Sequence, residues 1–257
     1  MSDETLFRIE PCSLNQYPAS LADVITDVVS LASELGAMLP PRTAASLAGL
    51  VRVVNCYYSN VIEGHNARPR EIERALASDF DADLARRDLQ LEARAHIRVQ
   101  AEVDALCAAG TYGEPASAAR IRWLHRAFYQ DATLSMLRIE PQHGDYTLAP
   151  GEFRTLPEND VAAGRHQPPS SHRVEAFMTY FEARYRFHEL GRSSRLVAMA
   201  AAHHRLNYIH PFVDGNGRVS RSMSHAMSLE AGIGAHGLWS ISRGLARGLA
   251  DPSEYKA

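Results

Sequence analysis

The sequence predicts a helical fold, and three observations predict it. Apolar residues recur at helical spacing in one stretch after another, from Leu21–Leu35 to Val99–Leu106. Breakers fall between the stretches, at Pro40-Pro41 and across Gly110 to Pro115. One long segment, Thr133 to Pro169, loses the period altogether and is dominated by Pro, Gly and polar residues.

Taken in order, residues 1 to 17 read as an irregular lead-in. Leu21 to Met38 reads as a helix with Ser20 as N-cap, carrying Val24, Ile25, Val28, Val29, Leu31 and Leu35 at the right spacing. A second helix covers Ala44 to about Ile62, and Gly64 sits where a C-cap belongs. Arg68 to Ala77 is a short helix and Ala82 to Ala108 a long one whose charges form a solvated face. Ser117 to Ala132 presents Ile121, Leu124, Phe128 and Tyr129 as a core side; Trp123 and His125 are assigned to packing or surface there. Ser171 to Leu190 carries Phe177, Tyr180, Phe181, Tyr185 and Phe187, a core element. Arg195 to Tyr208 then delivers His210, and Arg218 to Glu230 is a further helix. Gly232 to Gly237 is a loop, and Trp239 to Gly248 a short helix. Asp251-Pro252-Ser253-Glu254 looks like another helix start, a cap followed by Pro, with the chain stopping at Ala257. The expectation is that the natural protein continues, into further helices or a separate binding module.

Composition narrows the functional classes. With 257 residues, 46% of them hydrophobic, the chain can bury a large core. A net charge of −3 argues against a broad nucleic-acid footprint. Cys12, Cys56 and Cys107 are odd in number and lack metal-ligand spacing, which points to a reduced, cytoplasmic setting. Met1 to Glu10 carries acids rather than a signal segment, and no apolar run approaches membrane-spanning length. His143, His166 and His172 read as loop histidines, and His203 as a packed structural one.

The chemistry concentrates in His210-Pro211-Phe212-Val213-Asp214-Gly215-Asn216-Gly217-Arg218-Val219-Ser220-Arg221. Gly215-Asn216-Gly217 favours a turn over a helix interior. The turn feeds a helix N-terminus, where free N–H groups and the helix dipole attract anions. Arg218 and Arg221, three apart, project from one side of that helix's first turn. Asp214 is a hard oxygen ligand beside the anion nest, suited to Mg2+ held partly by phosphates. His210 can take a proton near neutral pH. Phe212 is an anchor, its burial contributing roughly 1.5–3 kcal/mol. A base, a Mg2+ ligand and a phosphate cradle together imply transfer of part of a nucleotide.

The twelve residues resemble the signature of the Fic family, His-x-Phe-x-(Asp/Glu)-Gly-Asn-Gly-Arg-x-x-Arg, at every specified position. Ser59-Asn60-Val61-Ile62-Glu63-Gly64 resembles the inhibitory-helix pattern (Ser/Thr)-x-x-x-Glu-(Gly/Asn) carried upstream by some members. Glu63 near a helix end can reach Arg221 and form a carboxylate–guanidinium pair. Pro150 to Thr155, followed by His166 to Pro169, resembles the Fic flap, a hairpin whose edge pairs with a target segment.

The resemblance implies an all-α fold, a Fic-type helical bundle with a small β-hairpin flap over the active site. It implies an N-terminal helical region over 1–110, with an inhibitory helix at about 44–64. The Fic core then covers 111–257, with a flap at about 145–169 and a catalytic loop at 210–221. It further implies AMP transfer from ATP to a Ser, Thr or Tyr hydroxyl of a target protein, with Mg2+. His210 would be the base and Asp214 the Mg2+ ligand. Gly215, Asn216 and Gly217 would form the anion hole, with Asn216 on the α-phosphate, Arg218 on the β-phosphate and Arg221 on the γ-phosphate. Glu63, with Ser59, would inhibit by occupying Arg221, or orient water for removal of AMP. Transfer of phosphate, UMP or phosphocholine, self-modification and a homodimer stay open. So do a regulatory role beside a DNA-binding C-terminal module and a toxin–antitoxin role.

Overall fold

The computed structural model describes residues 5–10, 14, 16–65, 68–139 and 146–248. It is all-α apart from one two-stranded antiparallel ladder. The helices are α1 (Ala19–Ala37), α2 (Pro41–Glu63), α3 (Pro69–Leu76), α4 (Leu84–Ala108), α5 (Ala118–Phe128), the single turn α6 (Leu134–Leu137), α7 (Val174–Arg184), α8 (Arg192–Ile209), α9 (Asn216–Glu230) and α10 (Ile241–Gly248). The strands are β1 (Arg138–Ile139) and β2 (Tyr146–Thr147), with Arg138 opposite Thr147 and Ile139 opposite Tyr146.

Local chemistry explains most boundaries. Ser117 and Asp83 accept N–H bonds from Arg120 and Arg86, capping α5 and α4. Pro41 and Pro69 occupy first turns, where a missing N–H goes unnoticed. Gly64 ends α2 in the left-handed conformation (φ 84°), and His65 N–H closes the turn on Asn60 O at 2.8 Å.

The core lies where α4, α5, α7, α8 and α9 meet. Val99, Val103, Ile121, Leu124, Phe177, Phe181, Ala198, Leu206, Met223 and Met227 are all buried in one cluster. α9 is buried almost all round, from Val219 to Ser228. The helix that opens at the Gly215-Asn216-Gly217 turn is therefore the central rod, fixed by its neighbours. α2 and α4 pack against it from the N-terminal side.

Several expectations are corrected. α1 is capped by Pro18, one residue before its first turn, and Ser20 lies inside the helix. None of its residues is buried, and Val24, Val29 and Leu31 face outward because only Leu21 and Ile25 reach the core cluster. The segment 171–190 is two 3-10 turns flanking the shorter α7, with the α-helix ending at Arg184; its aromatics pack as expected. The strand ladder straddles the start of 145–169: β2 falls inside it, while its partner β1 lies upstream, directly after α6. Most of 148–169 is irregular chain pinned by side chains. α9 begins at Asn216, two residues earlier than expected, since Gly215 serves as its N-cap. Cys12, His143 and the helix start at 251–254 lie outside the described residues. Among the described residues no helix is long and apolar enough to cross a membrane.

Candidate active site

The candidate base sits at the end of α8. His210 is its C-cap, in a left-handed conformation (φ 51°, ψ 61°) that a side-chain-bearing residue seldom adopts. Arg154 holds it there. This side chain is wholly buried. Its Nε donates to His210 O at 2.7 Å, and its Nη2 donates to Ile209 O at 3.1 Å and Pro169 O at 2.6 Å. The Arg154 backbone N–H donates to Pro211 O at 2.9 Å. A cation thus meets the negative end of α8 and satisfies carbonyls the helix leaves open. Asp160 supplies the counter-charge at 3.4 Å.

His210 Nδ1 lies 3.3 Å from Asn207 O. A carbonyl only accepts, so Nδ1 carries the proton and Nε2 keeps its lone pair. Burial, reinforced by the Arg154 charge, pushes the imidazole down to about 4. It is neutral at pH 7, the form a base needs.

The turn after His210 is locked from inside. Phe212 N–H donates to Asn216 Oδ1 and Asn216 Nδ2 donates back to Phe212 O, both at 2.9 Å. The Asn216 amide therefore braces the loop with its oxygen and one of its two N–H donors. Phe212 is fully buried and stacks on His125, ring centroids 3.9 Å apart. His125 accepts from Gly151 N–H at Nδ1 (2.8 Å), so Nε2 donates to Asp214 O (3.2 Å). It ties the 148–169 segment to the motif. Gly215 adopts φ 81°, and a Cβ there would lie 3.0 Å from the Tyr129 hydroxyl.

α9 starts without a side-chain cap, so its first N–H groups point out as an anion cradle. Both motif arginines stand beside it, and both are occupied. Arg221, 3% exposed, donates to Ser59 Oγ at 3.0 Å and pairs with Glu63. Burial alone would raise the Glu63 carboxyl, but the Arg221 charge and hydrogen bond, helped by Arg218, hold it below the usual value. Gly217 makes this possible: a Cβ there would run into the Glu63 carboxylate and lie 3.0 Å from Arg221 Nη1. Arg218 donates to Asp214 Oδ2 at 3.0 Å and to the Tyr129 hydroxyl at 3.2 Å, and pairs with Glu92 of α4. Burial pushes its guanidinium down to about 10, still charged at neutral pH. Burial and the Asp214 charge raise the Tyr129 phenol well above its usual value, so it stays a donor to Asp214, at 2.6 Å.

The fold brings Ser59, Glu63, His210, Asp214, Gly215, Asn216, Gly217, Arg218 and Arg221 to one place. Asp214 is half exposed beside the cradle. Among the described residues no three His, Cys, Asp or Glu gather into a protein-only metal cage. One accessible carboxylate next to an anion cradle fits Mg2+, which takes most of its ligands from phosphates and water. Sequence reasoning missed Glu92 and Arg154, and it placed His125 and Tyr129 in general packing. The last two had a faint signal, a polar pair four apart on a core face. His166 is a loop residue as expected, its Nε2 2.8 Å from Tyr208 O. His203 is structural as expected, with Nδ1 2.9 Å from Ser224 Oγ and burial pushing it down to about 4.

An uncapped helix N-terminus beside two arginines and a neutral imidazole is an arrangement suited to an anion such as a phosphate. Residues 115–228 match the family model described as the Fic/DOC family, so the chain carries a Fic domain. It is 42% identical over 83 residues to the protein adenylyltransferase Fic of Drosophila ananassae; the match covers 32% of this chain and 16% of that protein. It is similar in structure to a Fic domain-containing signaling protein from Bacteroides thetaiotaomicron, with TM-score 0.59, 22% identity, and 81% of this chain and 73% of that one covered. It is similar also to Fic-1 from C. elegans, with TM-score 0.61, 17% identity, and 92% and 72% covered.

Proposed function

We propose that this chain is a protein adenylyltransferase, moving AMP from ATP to a Ser, Thr or Tyr hydroxyl of a target protein, and that Glu63 holds it in a low-activity state. One observation carries this: Arg221, beside the open N-terminus of α9, is taken by Ser59 and Glu63 from another helix. A guanidinium kept beside an anion cradle and neutralised by a carboxylate is what a gated phosphate site requires.

The chemistry follows from the residues. The α9 N–H groups and Gly215 to Gly217 receive the triphosphate, with Arg218 facing the β-phosphate and Arg221 the γ-phosphate. His210 Nε2 accepts the hydroxyl proton as the oxygen attacks the α-phosphorus. The new P–O bond forms, the bond to the β-phosphate oxygen breaks, and pyrophosphate leaves. Asp214 would hold Mg2+, which supplies charge neutralisation to the phosphates. Catalysis is then positioning plus electrostatic stabilisation.

The test is labelled-ATP incorporation by purified protein. Glu63→Gly raises self-modification or modification of lysate protein about 10-fold or more, since it frees a buried charged hydrogen-bond partner. Adding His210→Ala to that variant removes roughly 10²–10⁴-fold of the signal while far-UV circular dichroism is unchanged. Equal incorporation by wild type and Glu63→Gly defeats the gating role, and an active His210→Ala variant defeats the base assignment. Repeating the assay with GTP, UTP and CTP fixes the nucleotide.

A further inference from the structure

Two carboxylates hold the two motif arginines, and they come from different helices. Glu63 is the last residue of α2, just before the left-handed Gly64. Glu92 lies in the body of α4, where Ala93, Ala95, His96 and Val99 anchor it to the core. Its side chain is 13% exposed, and that of Arg218 is 12% exposed. Both terminal nitrogens of Arg218 are thereby engaged: Nη1 faces Glu92, while Nη2 donates to Asp214 and Tyr129. Asp214 and Tyr129 belong to the motif loop and its support. Glu92 does neither job, and it brings a full negative charge to the cation that would meet a phosphate.

We infer that Glu92 competes with the middle phosphate of a nucleotide for Arg218, so that the cradle carries two separate carboxylate latches. Glu63 guards the terminal phosphate and Glu92 the one before it. This rests on the cradle being the ATP site proposed above.

The two latches must open differently. Glu63 is the last residue of α2 and can leave when that terminal turn unwinds. α4 is a 25-residue helix with a buried face, so Glu92 has to leave by rotating its side chain. Its other oxygen already faces a second partner. Glu92 Oε2 lies 3.5 Å from His65 Nδ1. His65 follows Glu63 by two residues and its N–H helps close α2. Displacement of the α2 terminus therefore moves the alternative partner of Glu92 at the same time, which couples the latches mechanically.

The number of phosphates on the ligand separates them. AMP lacks the phosphate assigned to Arg218, ADP has it, and ATP adds the one assigned to Arg221. Isothermal titration with AMP, ADP and ATP in Mg2+ is run on wild type, Glu63→Gly, Glu92→Gln and the double variant, each checked by thermal denaturation. Glu92→Gln keeps the shape and removes the charge. In the Glu63→Gly background it tightens ADP and ATP about 10-fold, equal to about 1.4 kcal/mol, and changes AMP less than about 2-fold. A purely structural role for Glu92 would move all three ligands together. Should Glu92→Gln fail to fold, Glu92→Asp keeps the counter-charge and draws it back by one methylene, with a smaller gain of the same pattern. ADP binding no tighter than in Glu63→Gly alone, in either folded variant, overturns the inference and leaves the proposed function standing. Absence of any nucleotide binding in Glu63→Gly overturns the proposed function first and this inference with it.

Discussion

Arg154 is wholly buried, and its guanidinium contacts the backbone of His210, the proposed base, rather than its ring. Its work is to hold α8's last carbonyls while His210 stays left-handed. Removing it leaves buried carbonyls without donors, a penalty with a known scale. Arg154→Ala is expected to lose about 3 kcal/mol of stability in urea denaturation, and Arg154→Lys to recover little, because one ammonium cannot replace a fork. Turnover should fall roughly 10²-fold as the imidazole drifts, with nucleotide affinity nearly unchanged. A stable, fully active Arg154→Ala protein would show that the left-handed turn at His210 needs no such brace. No local pattern in 150–155 announces this role; the carbonyls held by the Arg154 guanidinium lie 15 to 56 residues further along the chain.

At the scale of elements, α2 is the piece whose end matters most. Ser59 and Glu63 lie on its last turns, and the turn is sealed by Gly64 and His65. Gly64 sits at φ 84° with nothing within 4 Å of an added Cβ, so a substitution there meets strain but no collision. Gly64→Ala is expected to weaken the helix end by about 1 kcal/mol. The strain is relieved by fraying the turn that presents Glu63, so ATP affinity rises up to about 5-fold, the equivalent of that energy. Calorimetry on the variant checks it, and weaker or unchanged ATP binding would separate the cap from the latch. The C-cap was legible in the sequence because a glycine after an apolar period has one common use. The exposure of α1 was not. Periodicity states that a helix has an apolar side, and says nothing of whether another element arrives to cover it.

For the whole molecule, the conspicuous feature is a set of histidines kept neutral in the interior. Burial pushes His125, His203 and His210 down to about 4 and His96 to about 3, from an ordinary 6.5. Between those values the unfolded chain binds protons that the folded one refuses. Stability is therefore kept above pH 6.5 and lost as pH falls toward 4, by up to about 1.4 kcal/mol per pH unit for each histidine. Guanidinium denaturation at pH 7, 6 and 5 should show a progressive loss over that window. A flat profile would mean these rings gain compensating partners as they charge.

The sequence alone determined the succession of helices, the turn from His210 to Arg221 and the cap at Gly64. Those features are written in neighbouring residues, through spacing and backbone preference. Tertiary structure decided who holds whom. Arg221 meets Glu63 across 158 positions and Arg218 meets Tyr129 across 89, while Glu92 reaches Arg218 from another helix. Such partners depend on how rods cross and at what depth, because an ion pair forms only where packing delivers two charges to the same few ångströms. The motif suggested a site for an anion, and the packing of α2 and α4 against α9 set the carboxylates that pair with its two arginines.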